Sequence, residues 1–343
     1  MSAFAPVEYA RLSPARLSAL SDAQRNRLLG LSWVGDSFGD WPGELPVQQV
    51  LAPVLGGTEN VRGEAWQSSS ACHSSEAFGI RYRRDGHVLF GVIDVDEADF
   101  PLTAEATPLQ RATEEAYRRI FRLLDREGYS NLWRVWNYLA DINGASHGLE
   151  RYRQFNIGRQ QAFVGSGRLA EGNVPAACAL GVRSGPLTIA FLAGRTPPVP
   201  LENPRQVSAY RYPAQYGPRS PVFSRAAMVH LPGQEMLLIS GTASIVGHRT
   251  VHVGDVAGQT RETVANIEAL LAEAGKVSRT GPFTLPELNC RAYIRDAADF
   301  PVVRQVVEEA LGGAAVVYVE ADVCRADLLV EIEAVASHRL EAV

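Results

Sequence analysis

Val316-Val-Tyr-Val-Glu320-Ala-Asp-Val-Cys324-Arg-Ala-Asp327-Leu-Leu-Val-Glu331-Ile-Glu333-Ala-Val-Ala336, near the end of the chain, sets two β-branched runs on either side of a polar break. That pattern predicts two strands. Side chains on a strand alternate faces, so Glu331 and Glu333 point one way while Val330 and Ile332 point the other. Two readings of the acids follow. Either they lie on a solvated face and meet arginines, or one is a carboxyl in a partly apolar pocket. In the pocket, burial and a like-charged neighbour raise its pKa until it can donate a proton near neutral pH. A positioned acid of this kind contributes roughly 10²–10⁴ in rate.

Working back from this stretch, a helix over Pro301–Leu311 and a strand over Cys290–Arg295 are expected. Before them, Asp255 is placed to cap a helix whose stripe is Ile267, Leu270, Leu271 and Ala274, ended by Gly275. A strand over Glu235–Ile245 comes first, with a turn around Gly247 and His248. The first half shows the same plan. Strands over Ala77–Arg83 and His87–Val95 are joined by Asp85-Gly86. Thr107-Pro108 opens a helix with Tyr117, Ile120, Phe121 and Leu124 on its apolar face. A turn at Gly128 leads into Leu132–Asn143. Two divergent copies of one β-β-α-β-α-β-like unit are therefore expected. An amphipathic piece over Arg11–Leu31 and a loop over Gly35–Gly43 precede the first copy. The Pro-rich stretch Thr196–Pro221 lies between the copies.

The 343 residues predict about two domains of ~100–200 residues each, and an apolar content of 46% is enough for real cores. A net charge of −5 without any basic run argues against a nucleic-acid surface. Lys276 is the one lysine among 33 basic residues, so arginines dominate as candidate carboxylate forks. Cys72, Cys178, Cys290 and Cys324 are far apart, with no metal or redox spacing. No run is apolar enough for a membrane span and no signal pattern opens the chain, so a cytoplasmic location is expected.

Asp255-Val-Ala-Gly-Gln-Thr-Arg-Glu-Thr-Val-Ala-Asn-Ile-Glu-Ala-Leu-Leu-Ala-Glu-Ala-Gly275, taken with the closing strands, resembles the RidA/YjgF family. In that family the glutamate matching Glu331 lines a small-molecule pocket. The resemblance implies an α+β fold of two RidA/YjgF-like (chorismate-mutase-like) domains in pseudo-repeat, divided as residues 1–200 and 201–343. The arginine with which RidA proteins grip a substrate carboxylate falls on Val316 here, so their imine hydrolysis does not carry over. RidA proteins are trimers with sites between subunits. An internal repeat covers such faces within one chain, so a monomer or small homo-oligomer is expected.

Five further segments narrow the resemblance: Trp136-Asn-Tyr-Leu-Ala-Asp-Ile-Asn143, Glu150-Arg-Tyr-Arg-Gln-Phe-Asn-Ile-Gly-Arg-Gln-Gln-Ala-Phe163, Glu202-Asn-Pro-Arg-Gln-Val-Ser-Ala-Tyr-Arg-Tyr-Pro213, Ser240-Gly-Thr-Ala-Ser-Ile-Val-Gly-His248 and the ending from Cys324 to Glu331. With these the chain resembles the chorismatase family, whose members split pyruvate from chorismate. The resemblance implies that Glu331 protonates the enol ether and that no cofactor is needed. Glycine at Gly241 with cysteine at Cys324 implies the 3-hydroxybenzoate-forming type, by an internal epoxide-like route. It leaves open a bifunctional enzyme that also makes 4-hydroxybenzoate.

A dianionic substrate needs cations. Arg211, between Tyr210 and Tyr212, leads the candidates, followed by Arg159 and Arg153, with Tyr152, Tyr210 and Tyr212 as hydroxyl donors or core filling. A regular strand would set both tyrosines opposite Arg211, so a bulge or turn before Pro213 is required. His248 reads as a turn histidine or a base, and Cys324 as a buried hydrophobe or a proton relay. Two other classes compete: a RidA-like binding protein without lyase activity, and a pteridine-dependent oxygenase, for which no iron triad is recognisable.

Overall fold

The computed structural model describes residues 6–37, 39–41, 43–57, 60–169 and 174–340, so Phe38 and Pro42 of the expected loop lie outside the described residues. The stretch Arg11–Leu31 is not one amphipathic piece. Strand β1 (Val7–Leu12) leads into helices α1 (Pro14–Ser18) and α2 (Asp22–Arg27), then β2 (Leu28–Gly35). Ser13 and Ser21 cap the two helices. Neither helix buries a residue, and the buried Leu12, Leu28 and Leu31 belong to the flanking strands. Next come β3 (Val47–Leu51), β4 (Val54–Gly57) and β5 (Gly63–Ser68). Strands β1, β5, β2 and β3 form a four-stranded sheet in that order. Long-range pairing with β5 claims both ends of a stretch that looks locally helical.

The first unit contains β6 (His73–Ala77), β7 (Ile80–Arg84), β8 (Val88–Val95), α3 (Pro108–Glu127) and β9 (Asn131–Ala140). The hairpin β10 (Ala145–Ser146) and β11 (Leu149–Glu150) opens α4 (Arg151–Gly165), before β12 (Ala176–Val182) and β13 (Leu187–Gly194). Asp85 builds the β7–β8 turn, accepting from the backbone N–H of His87 (2.7 Å) and Val88 (2.8 Å). Thr107 caps α3 by accepting from the Gln110 N–H, and Gly128 ends it at φ +74°.

In the second half lie β14 (Val199–Leu201), β15 (Ala226–Leu231), β16 (Gln234–Ala243) and the short hairpin β17 (Ile245–Val246) and β18 (Arg249–Thr250). Then follow α5 (Val256–Gly275), β19 (Asn289–Ile294), α6 (Phe300–Leu311), β20 (Ala315–Glu320), β21 (Asp322–Val323) and β22 (Val330–Arg339). Asp255 caps α5 by accepting from the Gly258 N–H at 2.9 Å.

Each half forms a seven-stranded sheet, ordered β21-β12-β9-β13-β8-β7-β6 and β14-β15-β16-β22-β19-β20-β4. The inner orders β12-β9-β13-β8-β7 and β20-β19-β22-β16-β15 correspond strand for strand. Only β9 with β12 and β19 with β20 pair in parallel within these inner sets. The repeat is therefore β-β-α-β-α-β-β, one strand longer than its sequence suggests. Helices α3 and α4 cover the outer face of the first sheet, and α5 and α6 that of the second. The inner faces meet through Trp136, Tyr138 and Cys178 on one side and Leu238, Tyr293 and Val319 on the other.

Two edge strands are exchanged. From the first half, β4 pairs with β20 and completes the second sheet; from the second half, β21 pairs with β12 and completes the first. No helix among the described residues is long and apolar enough to cross a membrane.

Candidate active site

Where the two sheets meet near the start of α4, a cavity of about 300 Å³ opens. Its floor is built by three strands: Ala177–Ala179 on β12, Gly241 and Ala243 on β16, and Glu331 on β22. A bulge brings the last two together. The β16–β22 register shifts between Ile239 and Thr242, and Ser240 pins the shift. Its hydroxyl donates to the Ser224 carbonyl (2.6 Å) and accepts from the Ala177 N–H (2.9 Å).

Glu331 is 4% exposed. Burial first, and then the charge of Glu333, raise its pKa from 4.5 to about 8, against the pull of Arg134 and Arg225. At neutral pH it holds its proton. Glu333 shares its strand face and has a different fate. It is absent from the cavity lining, forms a buried ion pair with Arg134 of β9, and accepts from the Tyr293 hydroxyl at 2.6 Å. Gly241 is fitted to the acid: a Cβ there would stand 1.9 Å from Glu331 Oε1 and 3.2 Å from Cys178 Cβ. Only glycine leaves the carboxyl in this place.

Cys324 lines the cavity beside Tyr152 and Glu331. Burial, then the Glu331 charge, push its thiol up to about 12, so it stays an S–H and is no thiolate nucleophile. Burial likewise raises the Tyr152 phenol.

The walls are cationic. Arg159, on the inner side of α4, is fully buried and donates to Asn156 Oδ1 at 2.9 Å. Arg153 pairs with Glu150 at 3.0 Å. Arg225 is buried and donates to Tyr212 Oη (2.6 Å) and the Val207 carbonyl (2.9 Å). Arg325 lies 3.9 Å over the Tyr216 ring and donates to the His248 carbonyl. All four line the cavity.

Comparison with known proteins now places the chain. Residues 64–193 match the family described as Chorismatase FkbO/Hyg5-like, N-terminal, and residues 222–338 match Endoribonuclease L-PSP. A 3-hydroxybenzoate synthase of Streptomyces hygroscopicus is 40% identical over 79% of this chain and 80% of its own. The chain belongs to the chorismatase family. A chorismatase of Streptomyces rapamycinicus is 38% identical over 80% of this chain and 82% of its own. A crystal structure of a chorismatase superposes with a TM-score of 0.83 at 32% identity, covering 98% of this chain and 99% of the other.

Within this chorismatase fold the expected site residues divide. Glu331, Cys324, Gly241, Tyr152, Arg153, Arg159 and Tyr212 line one cavity. Arg211 and Tyr210 do not. The chain makes a 3-10 turn over Ala209–Arg211, which packs Tyr210 against the core of the first unit and leaves Arg211 exposed. Tyr212 follows in extended backbone and reaches the cavity. Arg225 and Arg325 line the cavity where Arg211 does not, and neither is singled out by the sequence. Arg325 was within reach of sequence reasoning, next to Cys324; Arg225 carried no local signal. His248 sits beside Tyr216, its Nδ1 3.2 Å from Tyr216 Oη, at the edge of the site. Val316 is buried beneath the second unit's helices and is not a lining residue.

Proposed function

We propose that the protein converts chorismate to 3-hydroxybenzoate and pyruvate without a cofactor, with Glu331 as the acid. One observation carries the reading: a buried carboxyl that keeps its proton at neutral pH stands on the floor of a cavity walled by Arg159, Arg225 and Arg325. The arginines suit a substrate with two carboxylates, and the carboxyl suits an enol ether that must be protonated on carbon.

Glu331 delivers its proton to the terminal methylene, giving an oxocarbenium ion beside the new carboxylate. The C4 hydroxyl oxygen then closes on C3 as the C3–O ether bond breaks, and pyruvate leaves with the ether oxygen as its keto group. The epoxide-like ring opens at C4. Loss of the C3 hydrogen completes the aromatic ring, and the proton restores Glu331. Chorismate is thus divided into the two products with no water consumed. Cys324, as a neutral thiol next to Tyr152, shapes the cavity or relays a proton. The pair Gly241 and Cys324, with the likeness to a 3-hydroxybenzoate synthase, supports this product over the dihydroxydiene of simple hydrolysis.

The pseudo-repeat packs its two sheets face to face within one chain, and a monomer or small homo-oligomer follows from this reading. Four free cysteines fit a reducing compartment, and we place the enzyme in the cytoplasm. The test is incubation of purified protein with chorismate and chromatographic identification of all products. Pyruvate with 3-hydroxybenzoate alone is expected. A mixture with 4-hydroxybenzoate selects a bifunctional enzyme, and untouched chorismate selects a RidA-like binding protein.

A further inference from the structure

Glu333 ends a buried polar chain that the reaction does not use. Arg134 meets its carboxylate from the first sheet, and Tyr293 donates to it from β19. The Tyr293 and Tyr138 hydroxyls lie 2.6 Å apart, Arg291 donates to Tyr138 at 3.0 Å, and Arg291 pairs with Glu64 of β5 at 2.9 Å. The chain therefore runs from below the cavity to the N-terminal four-stranded sheet. Its charges balance, two carboxylates against two guanidiniums.

Glu333 stands two residues from Glu331 on the same strand face, about 7 Å away along the backbone. Both glutamates are 4% exposed, so a charge at that distance is screened less than it would be in water. Two donors, Arg134 and Tyr293, occupy the Glu333 carboxyl, whereas Glu331 faces the cavity. The other groups acting on Glu331 or responding to its charge are Cys178 on β12, Arg225 before β15, Tyr152 on α4 and Cys324. Arg225 is a fixed charge, and across the cavity Glu331 also faces Arg159, Arg153 and Glu150 from α4 and its entry and Arg325 and Asp327 from the segment before β22.

We infer that Glu333, clamped by Arg134 and Tyr293, is a positioning residue that sets how tightly Glu331 holds its proton, without touching substrate. The inference rests on the reading of Glu331 as the acid. The direction of the Glu331 shift, raised by Glu333 and lowered by Arg134, agrees with it.

The test is Glu333→Gln, read in two ways: the pH dependence of kcat with chorismate, and a ¹³C-NMR titration of carboxyl-labelled glutamate. The Glu331 resonance is assigned by its loss in Glu331→Gln. With the anion gone and Arg134 left facing Glu331, the alkaline limb and the NMR midpoint should fall together by roughly 1–3 pH units. The acid plateau of kcat should change far less. The paired variant Arg134→Gln/Glu333→Gln avoids a lone buried cation and should show a smaller downward shift. A kcat lowered by one factor at every pH, with the midpoint unmoved, overturns the inference and leaves Glu333 structural. If wild-type protein does not turn over chorismate, the functional reading fails, while the NMR midpoint still decides the role of Glu333.

Discussion

At the scale of single residues, the chemistry turns on where one proton sits. Glu331→Gln should abolish turnover of chorismate while the protein stays folded, as checked by product assay and circular dichroism; an unchanged kcat would remove Glu331 as the acid. The same variant carries a stability signature. Below the ordinary glutamate value of 4.5, folded and unfolded chains both hold the proton and the charge costs nothing. From there to about 8 only the folded chain holds it, so wild-type protein loses stability as pH rises. The Tm gain of Glu331→Gln should grow across that window and level off above it. Wild-type turnover should fall through the same upper value, because an ionised Glu331 cannot protonate carbon. Gly241→Ala drives a methyl group into the carboxyl and should lower kcat roughly 10²-fold by misplacing it. Combined with Cys324→Ala it should move product toward the dihydroxydiene; an unchanged product ratio would reject the subtype. That Glu331 and Glu333 share a strand face was legible because strand alternation is local, but spacing did not tell them apart, and it was the family resemblance that pointed to Glu331. Arg225 was not legible, because its place depends on how the long 202–225 segment folds back over the cavity.

Single elements show which local signals can be trusted. Caps and turns were legible: Thr107, Asp255 and the Asp85 turn each do what their spacing predicts. The N-terminal sheet was not, since its four strands are drawn from separated segments and two capped helices interrupt them. Around Tyr210–Tyr212 the turn that the sequence requires is present, over Ala209–Arg211, but which of the three side chains it sends into the cavity was not legible. These differences predict different mutational effects. Thr107→Ala removes a cap that does not line the cavity, and should cost about 1 kcal/mol in urea unfolding with turnover unchanged. Ser240→Ala leaves the buried Ala177 N–H and Ser224 carbonyl without their partner, at roughly 1–3 kcal/mol each. It also releases the bulge that seats Gly241 against Glu331, so kcat should fall together with stability. A loss of stability with full kcat would show that the bulge holds without its pin.

For the whole molecule, the pseudo-repeat makes two facing sheets, and the cavity forms where their inner faces part. We propose residue 200 as the division between the two units; it falls within β14, whose three residues pair in the second sheet, and β4 and β21 cross it in opposite directions. A chain starting after β5 should therefore expose the unpaired edge of β20 and self-associate, as size-exclusion chromatography would show. Monomeric behaviour of that piece would mean that another segment covers the edge. The exchange also bears on how the protein is made. During synthesis β4 emerges long before β20, and the first sheet waits for β21, which is translated long after its partner β12. Neither layer can be finished from what has been translated until the closing strands arrive, and those strands carry the acid itself. A nascent chain that stalls before β20 holds two open-edged layers and lacks the proposed acid, so edge closure and completion of the cavity depend on the same stretch, β20 to β22.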